Sequence, residues 1–130
     1  MNTLTKAERI CSKLLVEQLF AGGNASFAAF PLRAVYMELP EDEFELSPPI
    51  QLLVSVPKRK LRHAVDRNRM KRQVREAFRL QKQPLTQLLQ SSGKRLAVAF
   101  ICMADAPFTT HNIERSMAKI LRRITEHYSS

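Results

Sequence analysis

Ala64-Val65-Asp66-Arg67-Asn68-Arg69-Met70-Lys71-Arg72-Gln73-Val74-Arg75-Glu76-Ala77-Phe78-Arg79-Leu80-Gln81-Lys82 carries two patterns at once. At 100° per residue, Met70, Val74, Ala77, Phe78 and Gln81 share an arc about 100° wide. Arg67, Asn68, Lys71, Arg72, Arg75, Arg79 and Lys82 fill an adjoining arc of about 140°, and Arg69 falls beyond it, on the side away from the core. The spacing predicts a helix over roughly Val65–Lys82, with Pro84 closing it. Its apolar stripe needs a second layer to cover it, whereas the basic arc must face water or a partner.

Working outward, Ile50 to Val56 (IQLLVSV) reads as a strand ended by Pro57. On the other side, Gly93 precedes Leu96 to Met103 (LAVAFICM), a strand apolar throughout and therefore expected to be buried on both faces. Asn112 can cap a last helix whose Ile113, Met117, Ile120, Leu121 and Ile124 form one stripe. Towards the start, Leu32 to Leu39 resembles a strand, and Thr5-Lys6-Ala7-Glu8 fits a capping box. That box opens a helix over Lys6–Phe20, stopped by Gly22-Gly23-Asn24. In this helix Ala7, Ile10, Cys11, Leu14, Leu15 and Leu19 share one half of the surface, with Val16 and Phe20 on a different flank. The expected fold is an α+β, two-layer sandwich, with room for a fourth strand between Asn24 and Pro49. Neither a repeat nor a linker divides it, so residues 1–130 are read as a single domain.

The chain has 21 Lys and Arg against 12 Asp and Glu, a net charge of +9, and a sequence pI near 10.2. The stretch from Lys58 to Lys82 holds eleven cations and only two acids, Asp66 and Glu76, which accounts for the whole of that excess. Helix stability favours mixed signs at i,i+4, so a nearly acid-free arc points to a polyanion. Phosphates relieve the repulsion among the cations and release condensed counterions. Asn68, amid the arginines, adds an amide that can donate to a phosphate or read a base edge. A membrane surface is disfavoured because no apolar face remains beside the basic arc. The start Met1-Asn2-Thr3-Leu4-Thr5-Lys6 lacks an apolar signal core, so a cytoplasmic protein is expected. Cys11 and Cys102 have no metal-ligand spacing and read as small core residues. His63, His111 and His127 show no catalytic pairing with carboxylates. Glu41, Asp42, Glu43 and Glu45 lack the ligand spacing of a calcium loop and read as a solvated acidic loop.

The run Ala64–Arg79 resembles the signature helix of the bacterial ribonuclease P proteins: A-V, any residue, R-N-R, any residue, K-R, then R-E. Arg67, Asn68, Arg69, Lys71, Arg72, Arg75 and Glu76 match in register behind the strand Leu52-Leu53-Val54-Ser55-Val56. The likeness extends to Leu4-Thr5-Lys6 through Arg9-Ile10, to the Leu19-Phe20 end of the first helix, and to the last strand and helix. The resemblance implies a sheet of about four strands with three helices and a left-handed βαβ crossover. It also implies a protein subunit that binds a catalytic RNA and the 5′ leader of precursor tRNA, assisting endonucleolytic removal of that leader. Cleavage would be carried by the RNA, with Mg2+ held mainly by the RNA and the substrate and no catalytic residue in the protein. No protein partner is required.

On that basis Lys58, Arg59, Lys60, Arg62, Arg67, Asn68, Arg69, Lys71, Arg72 and Arg75 are the expected RNA contacts. Phe20 and Tyr36 are the expected leader contacts, since single-stranded RNA is held by aromatic stacking beside positive charge. Two features depart from the family. Val16 replaces a usual aromatic, and Pro57-Lys58-Arg59-Lys60-Leu61-Arg62-His63 is one residue longer than the usual loop and lacks its glycine. A ribosomal or general single-stranded RNA-binding module would explain the charge and the fold, but not the R-N-R register. A helix-turn-helix DNA binder is disfavoured because the basic helix follows a strand.

Overall fold

A strand with no polar residue needs neighbours on both edges and cover on both faces, and β4 (Leu96–Cys102) has all of these. In the computed structural model, which describes Glu17, Leu19 and residues 25–39 and 49–129, β4 is one of the two inner strands of a four-stranded mixed sheet ordered β1-β2-β4-β3. β2 (Leu32–Glu38) pairs with it antiparallel, placing Tyr36 opposite Val98. β3 (Ile50–Ser55) pairs with it parallel, with Leu52 opposite Val98. β1 (Ala25–Ala29) completes the sheet as an antiparallel edge beside β2. It lies in the stretch where a fourth strand had room.

The parallel β3–β4 pair requires a crossover, supplied by α1 (Ala64–Gln81) and α2 (Gln83–Ser92). The second helix is not foreseen by the sequence reading. Pro84 ends α1 as expected, yet it also occupies the first turn of α2, where a missing N–H costs nothing. Gly93, at φ 72°, closes α2 in the left-handed conformation that favours glycine. After β4, α3 (Thr110–Ser129) returns across the sheet. Its cap differs from the expectation: the Thr109 hydroxyl accepts from the Asn112 N–H at 3.2 Å, so the cap stands three residues earlier than Asn112.

The two faces of the sheet are unequal. Leu32, Ala34, Tyr36, Ile50, Leu52, Val54, Leu96, Val98, Phe100 and Cys102 join the stripes of the three helices in one core. Each fully buried large side chain there contributes roughly 1.5–3 kcal/mol. On the other face β4 presents Ala97 and Ala99, which cluster with Leu19 and Leu39 with Met37 and Leu53 alongside, and the half-buried Ile101. Glu17 and Leu19 are helical, in keeping with the opening helix. The rest of that helix, including Cys11, Val16 and Phe20, and the acidic loop 41–45 lie outside the described residues.

Candidate nucleic-acid interface

Met70, Gln73, Val74, Ala77 and Phe78 are the buried residues of α1. Phe78 meets Phe100 edge-on, with ring centroids 6.0 Å apart. Gln73 is the residue that sequence reasoning passed over, because it fills an unspecified position of the signature. Its Nε2 donates to the Phe108 carbonyl at 3.0 Å and to the Thr110 hydroxyl at 3.2 Å. One turn pair later, Gln81 Nε2 donates to the Glu114 carbonyl at 3.0 Å. These amides fasten one flank of α1 to the start of α3, and only its periodic place beside Val74 and Ala77 could have marked Gln73 as inward-facing.

Fixing that flank turns the basic arc outward. Asn68, Arg69 and Arg72 are exposed, while Arg67, Lys71 and Arg75 are half-buried. Lys58, Arg59, Lys60 and Arg62, on the loop before the helix, are exposed as well. That loop needs no glycine here. The Lys60 and Leu61 N–H groups both donate to the Pro57 carbonyl, at 3.0 and 3.2 Å, and Leu61 is buried. Among the described residues no residue other than glycine has a positive φ, so an all-L loop closes without strain.

Arg67 has a second task. Its Nη1 donates to the Leu61 carbonyl at 2.9 Å and the Arg62 carbonyl at 2.7 Å. One end of the guanidinium therefore clamps the loop. At the far end of the arc, Glu76 pairs with Arg79, whose Nε lies 2.9 Å from the carboxylate. That hydrogen bond holds the Glu76 carboxyl below its usual value and raises the Arg79 guanidinium.

Tyr36 does not offer the open ring expected of a stacking residue. It is 3% exposed and projects to the sheet face covered by α3. There it meets His127 and Tyr128 edge-on, at 5.9 and 6.2 Å. Lys94 sits over the Tyr128 ring at 5.4 Å and pairs with Glu38 at 3.6 Å. Burial, Glu38 and Tyr36 together push the Tyr128 phenol up to about 12. A shallow recess of about 550 Å³ opens between Ala25, Met37, Glu38 and this ring cluster. Cys102 is a buried thiol raised by its burial, as a core cysteine should be.

His63 and His111 are exposed. No group of three His, Cys, Asp or Glu side chains that could hold a metal ion forms among the described residues, and no described helix is long and apolar enough to cross a membrane. What this surface can do is bind phosphates.

Comparison with known proteins agrees with that chemistry. A family model described as Ribonuclease P matches residues 4–125. The "Ribonuclease P protein component" of Porphyromonas gingivalis strain W83 is 39% identical over 127 residues, 98% of this chain and 90% of that protein. The protein of the same description from Chlorobium phaeobacteroides is 35% identical over 106 residues, 78% of this chain and 72% of its own. Among solved structures, the Staphylococcus aureus RNase P protein superposes with a TM-score of 0.70 at 23% identity, covering 92% of this chain and 96% of that one. A second structure of the Staphylococcus aureus protein gives 0.59 at 25% identity. The chain belongs to the ribonuclease P protein component family, and is the protein subunit of the endoribonuclease that acts in tRNA processing.

Proposed function

We propose that α1 and the loop before it are the grip on the catalytic RNA, and that the 5′ leader of precursor tRNA runs over the opposite face of the sheet. One observation carries this reading: a helix whose apolar flank is locked into the core presents an outward surface of nearly one sign. Asn68, Arg69, Arg72 and the loop cations Lys58, Arg59, Lys60 and Arg62 meet phosphates there, with Lys71, Arg75 and the unclamped part of Arg67 at the margin. On the other face Val35, Met37 and Leu53 are only half-buried and Arg33 is exposed, a surface suited to an extended single strand. Phe20, which lies outside the described residues, is the stacking residue this reading assigns to the leader. Tyr36 lies on the face that α3 covers, packed against His127 and Tyr128, so on this reading it supports the sheet and does not touch the leader.

In this division of labour the protein supplies cations and position, and the RNA performs the cleavage. Magnesium is held by the RNA and the substrate, and dense protein cations lower the concentration needed to bring two polyanions together. No membrane or further protein takes part, and the work is done in the cytoplasm, where tRNA precursors are processed. The test mixes purified protein with precursor tRNA, with and without a bacterial ribonuclease P RNA, across a magnesium titration. Leader removal should depend on the RNA and should reach half its rate at lower magnesium when protein is present. Cleavage by nuclease-treated protein alone, or a magnesium requirement indifferent to protein, overturns the proposal.

A further inference from the structure

The two residues between β1 and β2, Phe30 and Pro31, have opposite fates. Pro31 is buried, while Phe30 is 65% exposed. A phenylalanine ring left in water forfeits most of its burial free energy. The other two large exposed apolar side chains among the described residues are Val65 and Leu80, both on α1. Phe30 is also held in place: its ring stands edge-on to that of Phe108, with centroids 5.4 Å apart and planes at 69°. Phe108 in turn is the residue whose carbonyl Gln73 grips. Gln73, Arg69 and Val65 follow one another at four-residue steps back along α1, and such steps place side chains roughly 5–6 Å apart on one flank. Through Phe108, which Gln73 holds, the exposed ring connects to a flank of α1 that carries an exposed arginine and an exposed aliphatic side chain.

We infer that Phe30 is a base-stacking residue for the catalytic RNA, taking an unpaired base beside the phosphates that Arg69 engages. The inference rests on the reading of α1 as the RNA grip. An aromatic ring next to a cation is the chemistry that holds unpaired nucleotides, and a base inside a duplex has no free face to offer it. The contact with Phe108, at the entry to α3, places Phe30 on the helix-covered side of the sheet. The proposed leader path lies on the other side, so the base belongs to the RNA subunit.

The chain contains no tryptophan, which makes the test direct. Phe30→Trp in the full-length protein introduces a single indole at the proposed contact, and bacterial ribonuclease P RNA is titrated against it. Stacking should quench and shift the indole emission, with affinity kept within a few-fold of the parent. Phe30→Ala should weaken RNA-subunit binding about 5- to 150-fold, the equivalent of one base–aromatic stack. Its salt dependence should be unchanged, because no phosphate contact is lost, and its melting temperature should fall only slightly, by the loss of one edge-on ring contact with Phe108. An indole emission indifferent to saturating RNA, or Phe30→Ala binding as tightly as the parent, overturns the inference. Arg72→Ala, run alongside, reads the basic arc separately. Normal binding by that variant with a quenched indole would sink the arc and leave the stacking residue standing.

Discussion

α1 and α3 are both long helices that lay an apolar stripe on the same face of the sheet, yet they are secured in different ways. α3 buries Ile113, Met117, Ile120, Leu121 and Ile124, five apolar residues over three turns, together with Ser116, whose hydroxyl donates to the Ala29 carbonyl, and Thr109 caps its start. Its exposed cations Arg115, Lys119, Arg122 and Arg123 share the helix with Glu114 and Glu126, and Arg123 lies over the Phe27 ring at 5.7 Å. α1 buries four apolar residues and a glutamine, and its N-cap position, His63, makes no side-chain capping bond. Arg67 reaches back to the loop carbonyls instead. α3 is built to pack. α1 is built to be held, partly by α3 itself, while most of its surface stays available to a polyanion.

That contrast is sharpest where the two helices meet the core. Phe78→Ala removes a fully buried ring of α1 that touches Phe100, and should cost about 3–5 kcal/mol in denaturant unfolding. Provided the variant is assayed where it is folded, the salt slope of its RNA-subunit binding should match the parent's. A changed slope would mean that the apolar and basic arcs are not separable.

A smaller effect should follow from cutting the tie between the helices. Gln73→Ala leaves the Phe108 carbonyl and the Thr110 hydroxyl without the donor that reaches them from α1. The cost should be about 1–3 kcal/mol, the range for stranding partly buried polar groups. If Gln73→Ala unfolds at the parent's denaturant midpoint, the amide is not what holds α1 to α3.

Within the basic arc the comparison moves from stability to binding. Arg72 is exposed, so Arg72→Ala should leave the melting temperature alone and shallow the log–log salt dependence of RNA binding by roughly 0.7 to 0.9. Arg67→Ala should shallow the slope less, because part of its guanidinium already serves the loop, and should loosen residues 57–63 as well. Arg67→Lys restores the charge but not the fork that spans two carbonyls. Amide exchange in the loop should therefore stay fast in Arg67→Lys even if the slope recovers. Equal protection in the parent and the lysine variant would remove the clamp from this account.

The same contrast explains what could be read from the sequence. Strands β2, β3 and β4 and helices α1 and α3 were legible because each carries a burial period of two or 3.6, or an unbroken apolar run. β1 was legible only as a gap to be filled, since Ala25-Ser26-Phe27-Ala28-Ala29 is an edge strand of weak formers with alternating half-burial. α2 was missed because proline ends one helix and begins another with the same ring. At the site, the sign and the outward direction of the arc followed from spacing alone. The roles of Gln73 and Arg67 did not, because a glutamine tied to a distant carbonyl and an arginine turned back on its own loop are tertiary choices that no period encodes. Tyr36 failed as an open ring for the same kind of reason: β2 alternation places it on one face, and only the packing of α3 shows that this face is closed.

The smallest expected effect concerns the acid in the family signature, and it tests how far α1 differs from an ordinary solvated helix. Glu76 is exposed and bonded to Arg79, and exposed pairs of this kind add little stability. Its carboxyl is held below the ordinary 4.5, chiefly by the Arg79 hydrogen bond. Whatever stability the pair contributes is therefore fully present above that ordinary value and is lost as pH falls through the lower folded value. Glu76→Gln should erase this acid-side dependence and leave unfolding at pH 7 almost unchanged. Binding should respond in the opposite sense. Neutralising Glu76 removes the acid that competes with phosphate for Arg79, so RNA-subunit affinity should rise slightly and the salt slope should steepen by less than about one phosphate contact. On a merely solvated helix the same substitution would do nothing to RNA binding. A salt titration of Glu76→Gln beside the parent separates the two cases, and an unchanged slope would confine the grip to Arg75 and the residues before it.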